Sequence, residues 1–199
     1  MCSSDLQPSG TGGIPEGCGW LEVVCGPMFS GKSDEFLRRM RRAEIAGQRT
    51  SIFQPRVDTR HAGEVVSHDG LSRPAIAIYA PAELLAHARD SEVVGLDEAQ
   101  FLDDSLPEVV EQLVAEGKRV VVAGLDRDFR GRPFGPMPAL LAQAEMVDKL
   151  HAVCQVCGRQ ATLTQRLVNG EPAPFSDETV VIGGHERYEA RCRACFVPG

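Results

Sequence analysis

Three groups of residues have the types and spacing needed for chemistry. The first is Gly26-Pro27-Met28-Phe29-Ser30-Gly31-Lys32-Ser33, two glycines separated by four residues and followed by lysine and a hydroxyl residue. That is the phosphate-binding pattern: backbone N–H groups of such a loop, and of the helix it opens, converge on one anion. Lys32 then reaches the β- and γ-phosphates of a nucleotide such as ATP, and the Ser33 hydroxyl takes a position on Mg²⁺. The second group is Asp97-Glu98-Ala99-Gln100 after an apolar run. Asp97 has the Walker B arrangement, with a carboxylate able to hold magnesium opposite Ser33. Glu98 beside it can accept a proton from an attacking hydroxyl or orient water. Two adjacent acids are also common as a solvated turn, and the upstream phosphate loop weighs the reading toward chemistry. The same four residues are similar to a helicase box, but such motors need two lobes, and one short domain supplies only one.

The third group is Cys154-x-x-Cys157 and Cys192-x-x-Cys195, with 34 residues between the pairs. Four thiolates can close a tetrahedral zinc site at Zn–S distances near ~2.3 Å, with no position left for water, so the site is expected to be structural. The long spacing predicts an extended loop that leaves the metal and returns to it. Redox or disulfide pairs are the competing reading. Cys2, Cys18 and Cys25 are scattered and receive no function.

Elements that alternate along the chain must position these groups. Apolar runs predict strands over 20–25, 50–54, 75–79, 92–96, 119–123 and 146–150, and helical periodicity predicts helices over 33–46, 81–89, 107–116 and 138–144. This order implies an α/β fold, a P-loop NTPase-like, mostly parallel sheet with helices on both faces. Ligands bind such sheets at the carboxyl ends of the strands, where both the phosphate loop and Asp97 fall. On the first helix, Phe36, Leu37, Met40 and Ala43 share one face, and Arg38, Arg39, Arg41 and Arg42 read as its solvated surface. Residues 56–70 show no period and read as a long loop. Between Leu125 and Pro138, Leu125, Phe129 and Phe134 could wall a flat apolar ring, although from composition alone pinning the loop to the core is the stronger explanation of the phenylalanines. Thr162 to Arg166 and Thr179 to Gly184 lie between the cysteine pairs as β-like runs.

With 199 residues, the chain has room for one good core and a small appendage. The reading is a flexible tail over 1–18, a nucleotide-binding α/β domain over 19–150 and a small C-terminal zinc-bound module over 151–199. A net charge of −7 gives no general attraction for nucleic acid or anionic membrane. The N-terminus lacks the basic and apolar regions of a signal peptide, so a cytoplasmic protein is expected. A P-loop ATPase switch gripping a macromolecule through a zinc ribbon is the rival class. There Glu98 orients water, and the acidic balance counts against it.

In order, Gly26 to Ser33, Asp58-Thr59-Arg60, Asp97 to Phe101, Gly124-Leu125-Asp126 with Arg132-Pro133-Phe134-Gly135, the two cysteine pairs, and Val181-Ile182-Gly183-Gly184 with Tyr188 closely resemble type II thymidine kinases. The resemblance spans about residues 19 to 196. It implies transfer of the γ-phosphoryl group of ATP to the 5′-hydroxyl of thymidine, with Glu98 as base. Lys32, Ser33 and Asp97 would serve ATP and magnesium, and Arg60 would hold charge near the transferring phosphate. Met28, Phe101, Leu125, Phe129, Phe134 and Tyr188 would enclose the thymine ring. The segment between the cysteine pairs resembles the family's lasso, which reads the base through backbone near Thr164, Thr179, Val180, Val181, Ile182 and Gly183. A homotetramer and inhibition by thymidine triphosphate (dTTP) are implied as well.

Overall fold

A computed structural model describes residues 17–56, 63–66, 70, 72–179 and 187–198. In chain order the first part runs β1 (Trp20–Cys25), α1 (Lys32–Ile45), β2 (Thr50–Pro55), β3 (Glu64–Val66), β4 (Ser72–Pro74), β5 (Ile76–Ile78) and α2 (Ala82–His87). It continues with β6 (Val93–Leu96), α3 (Leu106–Ala115), β7 (Arg119–Gly124), α4 (Met137–Gln143) and β8 (Met146–Lys149). Six of these strands form one parallel sheet in the order β5-β2-β6-β7-β1-β8.

The central strands are apolar on both faces because helices cover both. On one face Val24, Ile52, Val93, Val121 and Ala123 pack against Phe36, Leu37, Met40 and Ala43 of α1. On the other, Leu21, Val23, Val94, Leu96, Val120 and Val122 meet Leu84 of α2, Val110 and Leu113 of α3 and Leu140 of α4. Burying each large side chain of α1 contributes ~1.5–3 kcal/mol, so the apolar stripe holds the helix and thereby the loop that opens it. Gly95 lets α1 lie close: a Cβ there would sit 2.8 Å from both Met40 Sδ and Phe36 Cζ.

The topology brings the chemistry together. β7 lies between β6 and β1, and the three strands run the same way, with Cys25 opposite Gly124 and Leu96 opposite Val122. The turns that follow them therefore share one edge.

The C-terminal part contains β9 (Ala152–Val153), β10 (Gln160–Ala161), β11 (Leu163–Val168), β12 (Glu171–Pro172) and β13 (Tyr188–Arg191). β9 and β10 form a hairpin, and β11 pairs antiparallel with both β12 and β13. Its small core of Ala152, Cys154, Ala161, Ala190 and Cys192 takes in Phe29 from the phosphate loop.

Two expectations need correction. Residues 56–70 were expected to be irregular, yet Glu64–Val66 pairs antiparallel with Ser72–Pro74; strands of three residues are too short to show a period. Arg39 is buried instead of solvated. Its guanidinium meets Glu22 at 2.8 Å, Glu35 at 2.7 Å and Asp148, which brings β1, α1 and β8 together. Among the described residues, no helix is long and apolar enough to cross a membrane.

Candidate active site

β1 ends at a loop whose backbone only certain residues can follow. Gly26 has φ 145 and Gly31 φ 79, and a Cβ on Gly26 would sit 2.5 Å from the Leu150 carbonyl. Phe29 takes φ 64 without being glycine. It packs against the small core around the cysteines, the kind of surrounding contact that holds a strained backbone in place. The Pro27 carbonyl accepts hydrogen bonds from Ser30 Oγ and from Lys32 Nζ, each at 2.8 Å. Lys32 is buried at the start of α1, and this burial lowers its pKa against the opposing charges of Glu98, Asp97 and Asp126.

At the end of β6, Asp97 faces the loop. Ser33 Oγ donates to Asp97 Oδ2 at 3.0 Å, and the Glu98 N–H donates to Asp97 Oδ1 at 2.9 Å. Burial and then the neighbouring Glu98 charge push the Asp97 carboxyl up to about 7, opposed by those two donors and by Lys32. A hydroxyl and a carboxylate this close form a hard oxygen set that suits magnesium. Glu98 has φ 54 and opens a 3-10 turn at Ala99–Phe101. Its Oε2 accepts from Gln100 Nε2 at 2.5 Å.

The cysteine pairs converge: the Sγ atoms of Cys154, Cys157, Cys192 and Cys195 lie within 4.8 Å of one another, and Cys157 and Cys192 are 3.6 Å apart. Tetrahedral zinc requires S···S separations of roughly 3.8 Å, so the set fits the ion. Burial would raise the Cys154 thiol, but N–H groups of Cys192, Cys157 and Val156 outweigh it and bring it down to about 6. Cys195, hydrogen-bonded to Cys157 and Cys192, is pushed up to about 12. Cys192 is lowered as well; four thiolates this close repel one another, and a divalent cation offsets that repulsion.

The segment between the two cysteine pairs, here called the lasso, meets the phosphate loop directly, with Met28 N–H donating to Thr164 Oγ1 at 3.0 Å. Phe101 and Phe134 pack edge to face at 5.8 Å, as do Phe129 and Phe175 at 6.2 Å. Tyr188 is buried at the start of β13, opposite Arg166.

The thymidine kinase family model matches residues 19–196. The chain belongs to the thymidine kinase family. A thymidine kinase of Coprothermobacter proteolyticus is 56% identical over 183 residues, covering 91% of this chain and 92% of that protein. A solved structure of a DNA replication initiation factor is a distant likeness, at TM-score 0.40 and 10% identity over 66% of this chain and 40% of that one.

Of the residues that the resemblance to thymidine kinases singles out, the fold brings Lys32, Ser33, Asp97 and Glu98 to one strand-end edge, and Met28 to Thr164. Phe101 and Phe134 form one ring pair, whereas Phe129 pairs with Phe175 of the lasso. Arg60, Val180, Val181, Ile182 and Gly183 lie outside the described residues. Sequence reasoning missed Arg130, and it gave Asp126, the last residue of the motif Gly124-Leu125-Asp126, no role of its own. Arg130 joins Phe129 to the lasso, and its only signal was a basic residue in a strand-end loop. Asp126 is buried and paired with Lys149 Nζ at 2.7 Å. It lies two residues after the end of β7, close to the place that Asp97 takes directly after β6, a likeness visible once both strands are assigned. Cys25 sits beside this pair, and burial together with the Asp126 charge pushes its thiol up to about 11. A thiol so hard to ionise is a poor nucleophile, consistent with a purely structural role.

Proposed function

We propose that this chain transfers the γ-phosphoryl group of ATP to the 5′-hydroxyl of thymidine, giving thymidine monophosphate and ADP. The observation that carries the reading is the contiguity of Lys32, Ser33, Asp97 and Glu98 at adjoining strand ends in a chain of the thymidine kinase family.

The phosphate loop would hold the triphosphate through its N–H groups, with Lys32 against the β- and γ-phosphates. Ser33 and Asp97 would hold magnesium, which when bound neutralises charge on the phosphate oxygens. Glu98 would take the proton of the 5′-hydroxyl as that oxygen forms its bond to the γ-phosphorus and the bond to ADP breaks. Phosphoryl transfer asks mainly for positioning and charge neutralisation, which these groups offer. Arg60 would add a further positive charge. Phe101, Phe134, Leu125 and Met28 would contact the thymine, with Phe129, Thr164, Thr179 and Tyr188 on the lasso side. Closure of the lasso over the nucleoside would exclude water and limit ATP hydrolysis. Cys154, Cys157, Cys192 and Cys195 would hold zinc in a structural role. Cytoplasmic location, a homotetramer and inhibition by dTTP complete the proposal; the first rests on the N-terminal sequence, which lacks signal-peptide regions, and the other two on the family resemblance.

The test is ADP release from ATP and magnesium with and without thymidine, for the unaltered protein and for Glu98→Gln. Release that requires thymidine and collapses in the variant is expected. Equal release without any nucleoside would overturn the kinase reading in favour of an ATPase.

A further inference from the structure

We propose that Gln100 is the positioning residue for Glu98, fixing the carboxylate that accepts the hydroxyl proton. The inference rests on the reading of Glu98 as base given above. Gln100 lies two residues beyond Glu98 within one 3-10 turn and is 2% exposed. Its carboxamide is used at both ends: Nε2 donates to Glu98 Oε2 at 2.5 Å, and Oε1 accepts from the Leu125 N–H at 2.9 Å.

That second bond decides the first. A flipped amide would set Oε1 against the Glu98 carboxylate and an NH₂ against the Leu125 N–H, two repulsive contacts at once. The backbone at the end of β7 therefore dictates that a donor faces Glu98. Two glycines make room for this arrangement. A Cβ on Gly124 would sit 2.7 Å from Gln100 Oε1, and one on Gly135 would sit 2.5 Å from the Gln100 carbonyl oxygen. Two separate stretches of chain, Gly124-Leu125 and Gly135, are thus shaped around Gln100, the first around its side chain and the second around its carbonyl.

Glu98 needs such a restraint. Its charge acts on both Asp97, which it repels, and Lys32, which attracts it. A carboxylate drawn to the lysine would leave the position where a hydroxyl proton can be reached, and proton transfer tolerates little displacement. A donor anchored to the backbone directly after β7 holds it against that pull.

The experiment compares the unaltered protein with Gln100→Glu and Gln100→Met, measuring kcat, KM for both substrates, and the thermal midpoint. Gln100→Glu is isosteric and keeps an acceptor for Leu125, but it presents an acceptor to Glu98 in place of a donor. The expected result is a kcat loss of ~10- to 100-fold with both KM values within about threefold. A merely structural Gln100 would lower the thermal midpoint and leave kcat intact at assay temperature. Should Gln100→Glu unfold below assay temperature, Gln100→Met carries the same test, since it removes the donor without adding charge. An active unaltered protein whose folded Gln100 variants keep full kcat overturns this inference alone. An unaltered protein indifferent to thymidine overturns the kinase reading and this inference with it.

Discussion

Arg130 Nη1 donates to Thr179 Oγ1 at 2.7 Å, tying the loop after β7 to the far arm of the lasso. The same guanidinium donates to the carbonyls of Phe175 at 2.7 Å and Asp177 at 2.5 Å and stacks on Phe129 at 4.6 Å. Asp128 braces it from below at 3.3 Å and accepts the N–H groups of Arg130 and Arg132. Replacing Arg130 with Met releases three contacts to the lasso while leaving the phosphate loop untouched. KM for thymidine should rise about tenfold, the loss of roughly one charged hydrogen bond, with KM for ATP unchanged. Steady-state kinetics with each substrate varied in turn checks this. An equal rise in both KM values would show that Arg130 does not act through the lasso.

The second expectation concerns acid stability. Glu35 is held down to about 2 by hydrogen bonds from Arg38 and Arg39 working against partial burial. Glu22 is also lowered: burial alone would raise it, and Arg119, Trp20 and Arg39 reverse that. Both carboxyls thus have folded pKa values below their unfolded ones, so the unfolded chain binds more protons as pH falls. Their contribution is complete above about pH 4.5 and is lost as the pH drops toward 2. Arg39→Met should cost about 3 kcal/mol at neutral pH, because it removes a buried partner of Glu22. It should also flatten the dependence of stability on pH between 5 and 3. Urea unfolding at several pH values measures both effects, and parallel pH curves would rule out Arg39 as their source.

Sequence alone reached far where spacing is local. The loop from Gly26 to Ser33 and the cysteine pairs are short-range patterns, and their geometry follows from backbone freedom and metal coordination that few sequences allow. The parallel sheet followed from buried apolar runs alternating with helical stripes. Arg39 was not legible because four arginines crowd one stretch of α1. Which of them turns inward depends on Glu22, 17 residues earlier, and Asp148, 109 residues later. In the sequence Gln100 stands only as the last member of the stretch Asp97 to Gln100. Its bond to Leu125 spans 25 residues and becomes visible only once β6 and β7 lie side by side.

Gly95 offers a test of how tightly α1 is seated. Glycine in an apolar strand looks like a weakness, since it buries no side chain. Here a Cβ would meet Met40 Sδ and Phe36 Cζ at 2.8 Å, so alanine must push the helix or distort both side chains. Overpacking of this kind costs ~1–3 kcal/mol. Because α1 begins at Lys32 and Ser33, Gly95→Ala should also raise KM for ATP. Thermal unfolding together with ATP-dependent kinetics would report both, and a variant as stable as the original would show that the helix moves without cost.

Metal removal should be felt across the molecule. The cysteine module has a small core of its own, and it is joined to the phosphate loop by Phe29 and by the bond from Met28 N–H to Thr164 Oγ1. Without a cation, Cys154 tends toward thiolate while Cys195 resists, and the cluster loses the partner that suits all four sulfurs. One zinc per chain is therefore expected by elemental analysis. A strong chelator should release it, expose β11 and β13 to amide hydrogen exchange, and reduce kcat/KM for thymidine more than KM for ATP changes. Cys154→Ser should reproduce this at lower zinc content. Full activity and unchanged exchange after stoichiometric zinc loss would mean that the lasso holds its shape through Phe29 and Arg130 alone.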